Sequence, residues 1–407
     1  MKILQFPAYV TILSDKDFSR SITGYGYMTI DIATSLAHKG IDIDLLTQSN
    51  FTRGKTHKKV NILKRTFFDL IFNLKIRHVF WAIKIIFRDK ITLNRIPNLF
   101  LYNISMGYLE KVLKLRNYDL VHIHGIGYYT MPIIRVCEKM GIKYLITLHG
   151  LNSFSDSVNV SFNEKKIEKD LLRKAFLEKT PISVISGGIR EIILKYLNIN
   201  HSEHIYVVPN GCTMKTNNDF NIRIKYNLKE GVKIFICVGN ISERKNQIQV
   251  VRAYNKLPLS DKNKIAVLFL GNDMTNGVFI EEIVEHGFQN NLIVCGNIDR
   301  NSIGSFYAQA NYNIVASISE GFGLSMIEGF NLGIPSITFF DLDAVSDIYN
   351  AKSMLIVNER TDQALADGIC RMIEIDWKEK DIQQHSKQFS LENMAIGYSE
   401  IFKKILN

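Results

Sequence analysis

The chain has 407 residues, 46% hydrophobic and 22% charged, with a formal net charge of +10, so it is too long for one ordinary core and points to two domains of roughly 200 residues each, with disorder excluded. Its five cysteines, Cys137, Cys212, Cys237, Cys295 and Cys370, form no Cys-x-x-Cys pair, which argues for reduced thiols in the cytoplasm and against a disulfide framework or a zinc site. No run of 18 uninterrupted apolar residues exists, which excludes a membrane-spanning helix read from hydropathy.

At the start, Lys2 precedes the apolar run Ile3-Leu4-Gln5-Phe6-Pro7, as in a short signal sequence. No small-residue cleavage site follows, and Ser14-Asp15-Lys16-Asp17 is polar, so the expectation is a first β-strand. Apolar or β-branched runs then alternate with amphipathic stretches, the pattern of parallel βαβ units. In the first half strands are expected near 2–6, 41–47, 119–123, 143–148, 182–185 and 205–208, with helices near 25–39, 102–115, 128–140, 163–179 and 188–196.

Thr23-Gly24-Tyr25-Gly26 falls between the first strand and the first helix, where Gly24 and Gly26 would let the backbone approach a ligand. His122 and His124 lie in one strand and alternation sets them on the same side, with His124 nearer the strand end; His149 closes the strand Leu145-Ile146-Thr147-Leu148.

Residues 51–100 read as a helical insertion. They hold twelve Lys and Arg against Asp69 and Asp89, an excess of ten that equals the balance of the whole chain. Phe67, Phe68, Phe72, Phe80, Trp81 and Phe87 are interleaved among these cations. The mixture suits a helix lying on an anionic lipid surface; the alternative is a solvated basic face over ordinary core aromatics. No recognition motif for nucleic acid accompanies the charge.

In the second half strands are expected near 233–238, 265–270, 291–295, 312–316, 335–339 and 353–357, and helices near 246–257, 277–287, 300–310, 324–332 and 361–375, with a last helix near 391–405. The polar segment 210–231, containing Asn217-Asn218-Asp219, reads as the interdomain linker. Open α/β sheets bind ligands at the carboxyl ends of their strands, so two facing sheets would enclose a cleft.

The most informative stretch is Ser319-Glu320-Gly321-Phe322-Gly323-Leu324-Ser325-Met326-Ile327-Glu328-Gly329, directly after the strand-like Asn313-Ile314-Val315-Ala316. A Gly-x-Gly turn between two carboxylates places one acid in a loop and the other in the first turn of a helix whose free N–H groups suit an anionic phosphate. Ser325-Met326-Ile327-Glu328 also fits a capping box. Arg244 and Lys245, following the strand end Val238-Gly239, are placed to contact phosphates, and a departing diphosphate needs such cations. A glycosidase acid and base pair is the competing reading of Glu320 and Glu328, but a hydrolase has no use for phosphate-directed glycines and cations.

These segments resemble the retaining glycosyltransferases of family four. The resemblance rests on the Glu-x7-Glu run, on Val208-Pro209-Asn210-Gly211, on Val238-Gly239-Asn240-Ile241-Ser242-Glu243-Arg244-Lys245-Asn246 and on Gly333-Ile334-Pro335, in the family's order across most of 205–340. It implies the GT-B fold, an α/β architecture of two facing Rossmann-like domains with parallel sheets and an interdomain cleft. The domains would be 1–209 on the acceptor side, 210–388 for the nucleotide sugar, and a final helix, 389–407, packed back on the first domain.

By the same resemblance Glu328 would take the ribose hydroxyls. Gly323, Leu324 and Ser325 would meet the phosphate, Glu320 the donor sugar, and His149 would stand beside that sugar. Two departures stand out: the family's usual arginine position is Asn240 here, leaving Arg244 to substitute, and Tyr25 interrupts the usual Gly-Gly pair. The implied reaction is hexosyl transfer from a nucleoside-diphosphate sugar to a glycan or lipid-linked acceptor, in bacterial polysaccharide or lipopolysaccharide synthesis. No enzymic nucleophile is required, and without an Asp-x-Asp motif no metal or other cofactor is expected. The expected location is cytoplasmic, peripheral on the inner face of the membrane. A sugar-nucleotide epimerase shares the fold, and a noncatalytic nucleotide-sugar-binding homologue is the other alternative.

Overall fold

The computed structural model describes residues 1–19, 23–89, 91, 93–154, 161–216 and 221–407. The expected linker residues Asn217, Asn218 and Asp219 lie outside them. The chain divides into two compact units, Met1–Asn210 with Leu391–Asn407, and Gly211–Ser390.

The first unit is built on β1 (Lys2–Phe6), β2 (Asp42–Leu45), β3 (Lys55–His57), β4 (Val60–Ile62), β5 (Leu120–His124), β6 (Tyr144–Leu148), β7 (Ile182–Val184) and β8 (Ile205–Val207), in the order β3-β4-β2-β1-β5-β6-β7-β8. All neighbours are parallel except β3 and β4. Helices cover both faces, so β5 is buried along its whole length and reads as an unbroken apolar run apart from His122 and His124. The final helix, Leu391–Leu406, packs on the helix Gly24–His38, and a missing Cβ at Gly397 leaves room for Val208.

The expected helical insertion opens instead as a β-ribbon. Val60 and Ile62 point into the core while Asn61 donates to Asp44 Oδ1 at 2.7 Å, and this alternation extends the sheet by two strands. The turn between β3 and β4 holds Lys58 and Lys59 at φ 43° and 70°, the left-handed pair that a two-residue hairpin requires. Helices follow only from Thr66, which caps Phe67–Phe72 in a reciprocal box with Asp69.

The second unit holds β9 (Lys233–Val238), β10 (Ile265–Leu270), β11 (Leu292–Gly296), β12 (Tyr312–Val315), β13 (Ser336–Phe339) and β14 (Met354–Val357), all parallel, in the order β11-β10-β9-β12-β13-β14. The period of two along β9 divides the core into layers. Phe235 and Cys237 pack with Val250, Tyr254 and Ile369, whereas Ile234 and Ile236 pack with Phe306 and Tyr307. The order reverses between β9 and β12, which makes their carboxyl ends the switch point where open α/β sheets take ligands.

Candidate active site

At that switch point β9 ends in Gly239, whose φ of 127° is strained for any residue with a side chain. A Cβ there would lie 3.2 Å from Lys245 Cε, so the glycine also lets the lysine fold back over the strand end. Gln247, the first residue of the helix Gln247–Lys256, ties this loop together by donating to the carbonyls of Gly239 and Asn240, each at 3.2 Å, and accepting from Ser242 N.

The loop after β12 meets it. Ile318 N donates to Arg244 O at 2.9 Å, and Arg244 Nη1 donates to Ser319 O at 2.9 Å. These contacts bring Glu320 between two cations: Lys245 Nζ hydrogen-bonds Glu320 Oε1, and Arg244 Nη1 lies 3.6 Å from Oε2. Ser317 Oγ donates to the same Oε1 at 2.7 Å. Burial of Glu320 opposes ionisation, but Lys245 and Arg244 outweigh it and hold the carboxyl below its usual range. The acid is therefore a carboxylate at neutral pH.

Downstream, Gly323 at φ 75° caps the helix Leu324–Asn331, with no side-chain cap. This corrects the capping-box expectation: the helix starts one residue before Ser325, so Ser325 lies inside the first turn, where its carbonyl accepts from Tyr307 Oη at 2.6 Å and from Asn313 Nδ2 at 3.2 Å. Glu328 is accordingly in the second turn, not the first. It is half-buried, one turn beyond Leu324 on the same face, and close enough to Tyr307 for its charge to raise that phenol further above the range set by burial. Gly323 is packed tightly, since a Cβ would lie 2.4 Å from Met326 Cε.

Asn240 is exposed and its Oδ1 accepts from Asn272 N at 3.1 Å, so it fastens the β9 loop to the one after β10. Arg244, four residues further along the same loop, is the guanidinium that reaches Glu320. Arg360 gave no sequence signal. Its fork grips both oxygens of Asp341 and donates to the carbonyls of Ala316 and Ser317, each at 3.1 Å, which fixes the start of the Glu320 loop.

The first unit has its own switch point, between β1 and β5. Thr23 caps the helix Gly24–His38 by accepting from Gly26 N at 3.1 Å. Gly24 is open, with nothing within 4 Å of a built Cβ, whereas one on Gly26 would lie 2.1 Å from Thr11 Oγ1. Gly24 remains a candidate for ligand approach. At Gly26 the protein's own packing against Thr11 already requires the glycine, whatever approaches the turn.

Tyr25 accepts from Ala8 N at 3.0 Å and packs edge-on against His149, rings 5.2 Å apart. His122 and His124 share a side as the alternation requires, their rings 4.2 Å apart. His122 Nε2 bonds Thr147 Oγ1 at 2.6 Å, and His124 Nδ1 bonds His149 Nε2 at 2.9 Å. Both strand histidines are wholly buried, so His124 serves as the support of half-buried His149 and not as the ligand-facing group. Desolvation pushes His122 down to about 3, His149 to about 4 and His124 well below its ordinary value. All three are neutral imidazoles near pH 7.

Two Rossmann-like parallel sheets, each with polar residues gathered at its switch point, define the GT-B class of architecture. The family models "Glycosyltransferase Family 4" and "Glycosyl transferases group 1" match residues 22–215 and 218–389. The chain belongs to the family-four glycosyltransferases. Among curated relatives it is 24% identical over 272 residues, 64% of this chain and 63% of the relative, to a putative teichuronic acid biosynthesis glycosyltransferase, TuaC, of Bacillus subtilis. It is also 24% identical, over 63% of this chain and 64% of the relative, to a UDP-Gal:alpha-D-GlcNAc-diphosphoundecaprenol alpha-1,3-galactosyltransferase of Escherichia coli. The chain thus aligns with a little under two thirds of the length of each. Sucrose-phosphate synthase from Thermosynechococcus elongatus superposes with a TM-score of 0.75 at 17% identity, covering 100% of this chain and 99% of that one. Anabaena HepE in complex with UDP-glucose gives 0.68 at 14%, covering 99% and 100%. These likenesses concern the fold.

Proposed function

We propose that this protein transfers a hexosyl group, with retention, from a nucleoside-diphosphate sugar to a glycan or lipid-linked acceptor at an anionic membrane surface, in cell-surface polysaccharide or lipopolysaccharide synthesis. The observation that carries the reading is the Arg244–Lys245–Glu320 cluster at the switch point of the second unit, beside the helix that starts at Leu324. Diphosphate is the ligand that uses both the cations and the free N–H groups of Leu324 and Ser325. A galactosyltransferase relative named for a diphosphoundecaprenol acceptor and a fold neighbour bound to UDP-glucose support this donor and acceptor chemistry.

In the proposed reaction the bond between the anomeric carbon and the diphosphate oxygen breaks. The acceptor oxygen bonds that carbon from the same face, and its proton passes to the departing diphosphate. Arg244 and Lys245 take up the growing negative charge. Glu328 holds the ribose hydroxyls, Glu320 orients the donor sugar while fixing Lys245, and neutral His149 offers a hydrogen bond to sugar hydroxyls. No essential metal or other cofactor takes part, so activity is expected to survive chelation by EDTA.

A panel of nucleoside-diphosphate sugars tested by thermal shift identifies the donor, because a ligand bound at about a hundred times its Kd stabilises by about 2.7 kcal/mol. The anomeric configuration of the product is then read by NMR. An inverted linkage overturns retention, an isomerised donor formed without acceptor favours the epimerase, and donor binding without turnover by any acceptor favours the noncatalytic reading.

A further inference from the structure

The helix Ile76–Asp89 carries two apolar stripes. His78, Ala82 and Ile85 form the buried one. On the other side Ile76, Phe80, Ile83 and Phe87, at spacings of four, three and four, are 86%, 68%, 40% and 79% exposed. The preceding helix, Phe67–Phe72, adds Phe68 and Phe72, stacked at 6.3 Å and also exposed. A helix in a water-soluble unit ordinarily turns one apolar face to the core and a polar one outward, so a second, outward stripe of this size marks a surface with a partner.

The stripe is held outward by built contacts. Lys75 and Arg77 both bond the buried Glu110 Oε2, and His78 Nε2 lies 3.2 Å from its Oε1. The turn at Asn73 presses on the helix Met106–Arg116 so closely that a Cβ on Gly107 would fall 1.8 Å from Asn73 O. One carboxylate shared by two cations leaves surplus positive charge at the start of the stripe. Lys84 adds more along the same helix, where Arg88 is exposed as well, and Lys58 and Lys59 stand exposed on the hairpin just before it.

We propose that these two helices dock the protein on an anionic phospholipid bilayer, with Phe72, Ile76, Phe80, Ile83 and Phe87 among the acyl chains and the cations at the headgroup phosphates. An amphipathic helix seats its apolar face roughly 5–10 Å into the headgroup and acyl boundary, and each nearby Lys or Arg strengthens attachment to anionic lipid. Charge selects this occupant over a second copy of the chain, since a twofold pairing through one face would bring cation to cation. The inference deepens the lipid-linked acceptor reading by naming the surface that brings the enzyme to its acceptor. It rests on that reading for its purpose, not for its test.

Flotation of the full-length protein with vesicles of phosphatidylcholine plus phosphatidylglycerol, and with phosphatidylcholine alone, provides the test without any sugar present. Wild type is expected to float with the anionic vesicles. The double variant Phe80→Ser, Phe87→Ser should lose more than about tenfold in partitioning, and Lys84→Glu with Arg88→Glu should lose about tenfold on anionic vesicles only. Unchanged melting temperatures and unchanged turnover of a soluble acceptor would show that the variants are folded and that the transfer reading stands apart. Equal binding to both vesicle types, full binding by the phenylalanine variant, or a concentration-dependent dimer that this variant abolishes in a wild type that ignores vesicles would each overturn the proposal.

Discussion

Glu320 and Glu328 are eight positions apart in sequence yet have different surroundings, and that difference sets different outcomes for their removal. Glu320 is locked between Lys245, Arg244 and Ser317, so Glu320→Ala frees Lys245 and unseats the loop proposed to face the donor sugar. Steady-state kinetics should show kcat lowered roughly a hundredfold with nucleotide affinity nearly unchanged. Glu328 sits in the second turn of its helix with a different neighbour, Tyr307. Glu328→Ala should weaken nucleotide binding by calorimetry about tenfold, the worth of one charged hydrogen bond. Equal effects of the two changes on affinity and turnover would contradict both roles. The sequence already singled out both acids and the Arg-Lys pair, because glycines and charges clustered at strand ends are local signals. It missed Ser317, a lone serine three residues before its partner Glu320, and Arg360, whose partners Asp341, Ala316 and Ser317 follow other strands.

At the level of elements, the two glycines of the Thr23-Gly24-Tyr25-Gly26 turn separate by space alone. Gly26→Ala should cost about 1–3 kcal/mol by urea denaturation, since its Cβ would be forced onto Thr11. Gly24→Ala should leave stability within about 0.5 kcal/mol, so any loss of nucleotide-sugar binding in that variant reports ligand approach. Just beyond the insertion, Glu110 holds the outward-facing helix in place. Burial opposes ionisation, but Arg77 and Lys75 bring its pKa to about 2. A depressed carboxyl stabilises above its unfolded value near 4.5 and loses that contribution as pH falls toward 2. Glu110→Ala leaves the partly exposed Lys75 and Arg77 without their shared carboxylate and should destabilise by about 1–2 kcal/mol. Charge and aromatics dominate the composition of the insertion and mask its strands in the sequence. The alternation in β4 is only three residues long, in and out, and is recognisable as a strand only with β2 alongside.

For the molecule as a whole, five buried or half-buried imidazoles make acid the main threat to the first unit. His57, His78, His122, His124 and His149 are all pushed below the ordinary histidine value by desolvation. The unfolded chain takes up protons as pH falls through about 6.5 while the folded chain does not, so stability is full above that value and declines toward pH 4. A displacement from 6.5 to about 4 is worth roughly 3 kcal/mol for a single group. Scanning calorimetry should find a melting temperature that is flat above pH 7 and falls between pH 6.5 and 5, with a shallower fall in His149→Asn. A melting temperature independent of pH across that range would remove the premise that these imidazoles stay neutral.

Apolar periodicity alone determined the alternation of strands and helices, the parallel sheets and the places where strand ends carry glycine and charge, because each of these depends on residues within a turn or two of one another. Only the tertiary structure decided which strand ends are neighbours, and so which charges meet. The adjacency of β9 and β12 puts Lys245 against Glu320 across a sequence separation of 75. The same is true of which apolar stripe on Ile76–Asp89 faces the core. Both stripes satisfy a helical period, and the packing of Glu110 and Gly107 against that segment is what turns one of them outward.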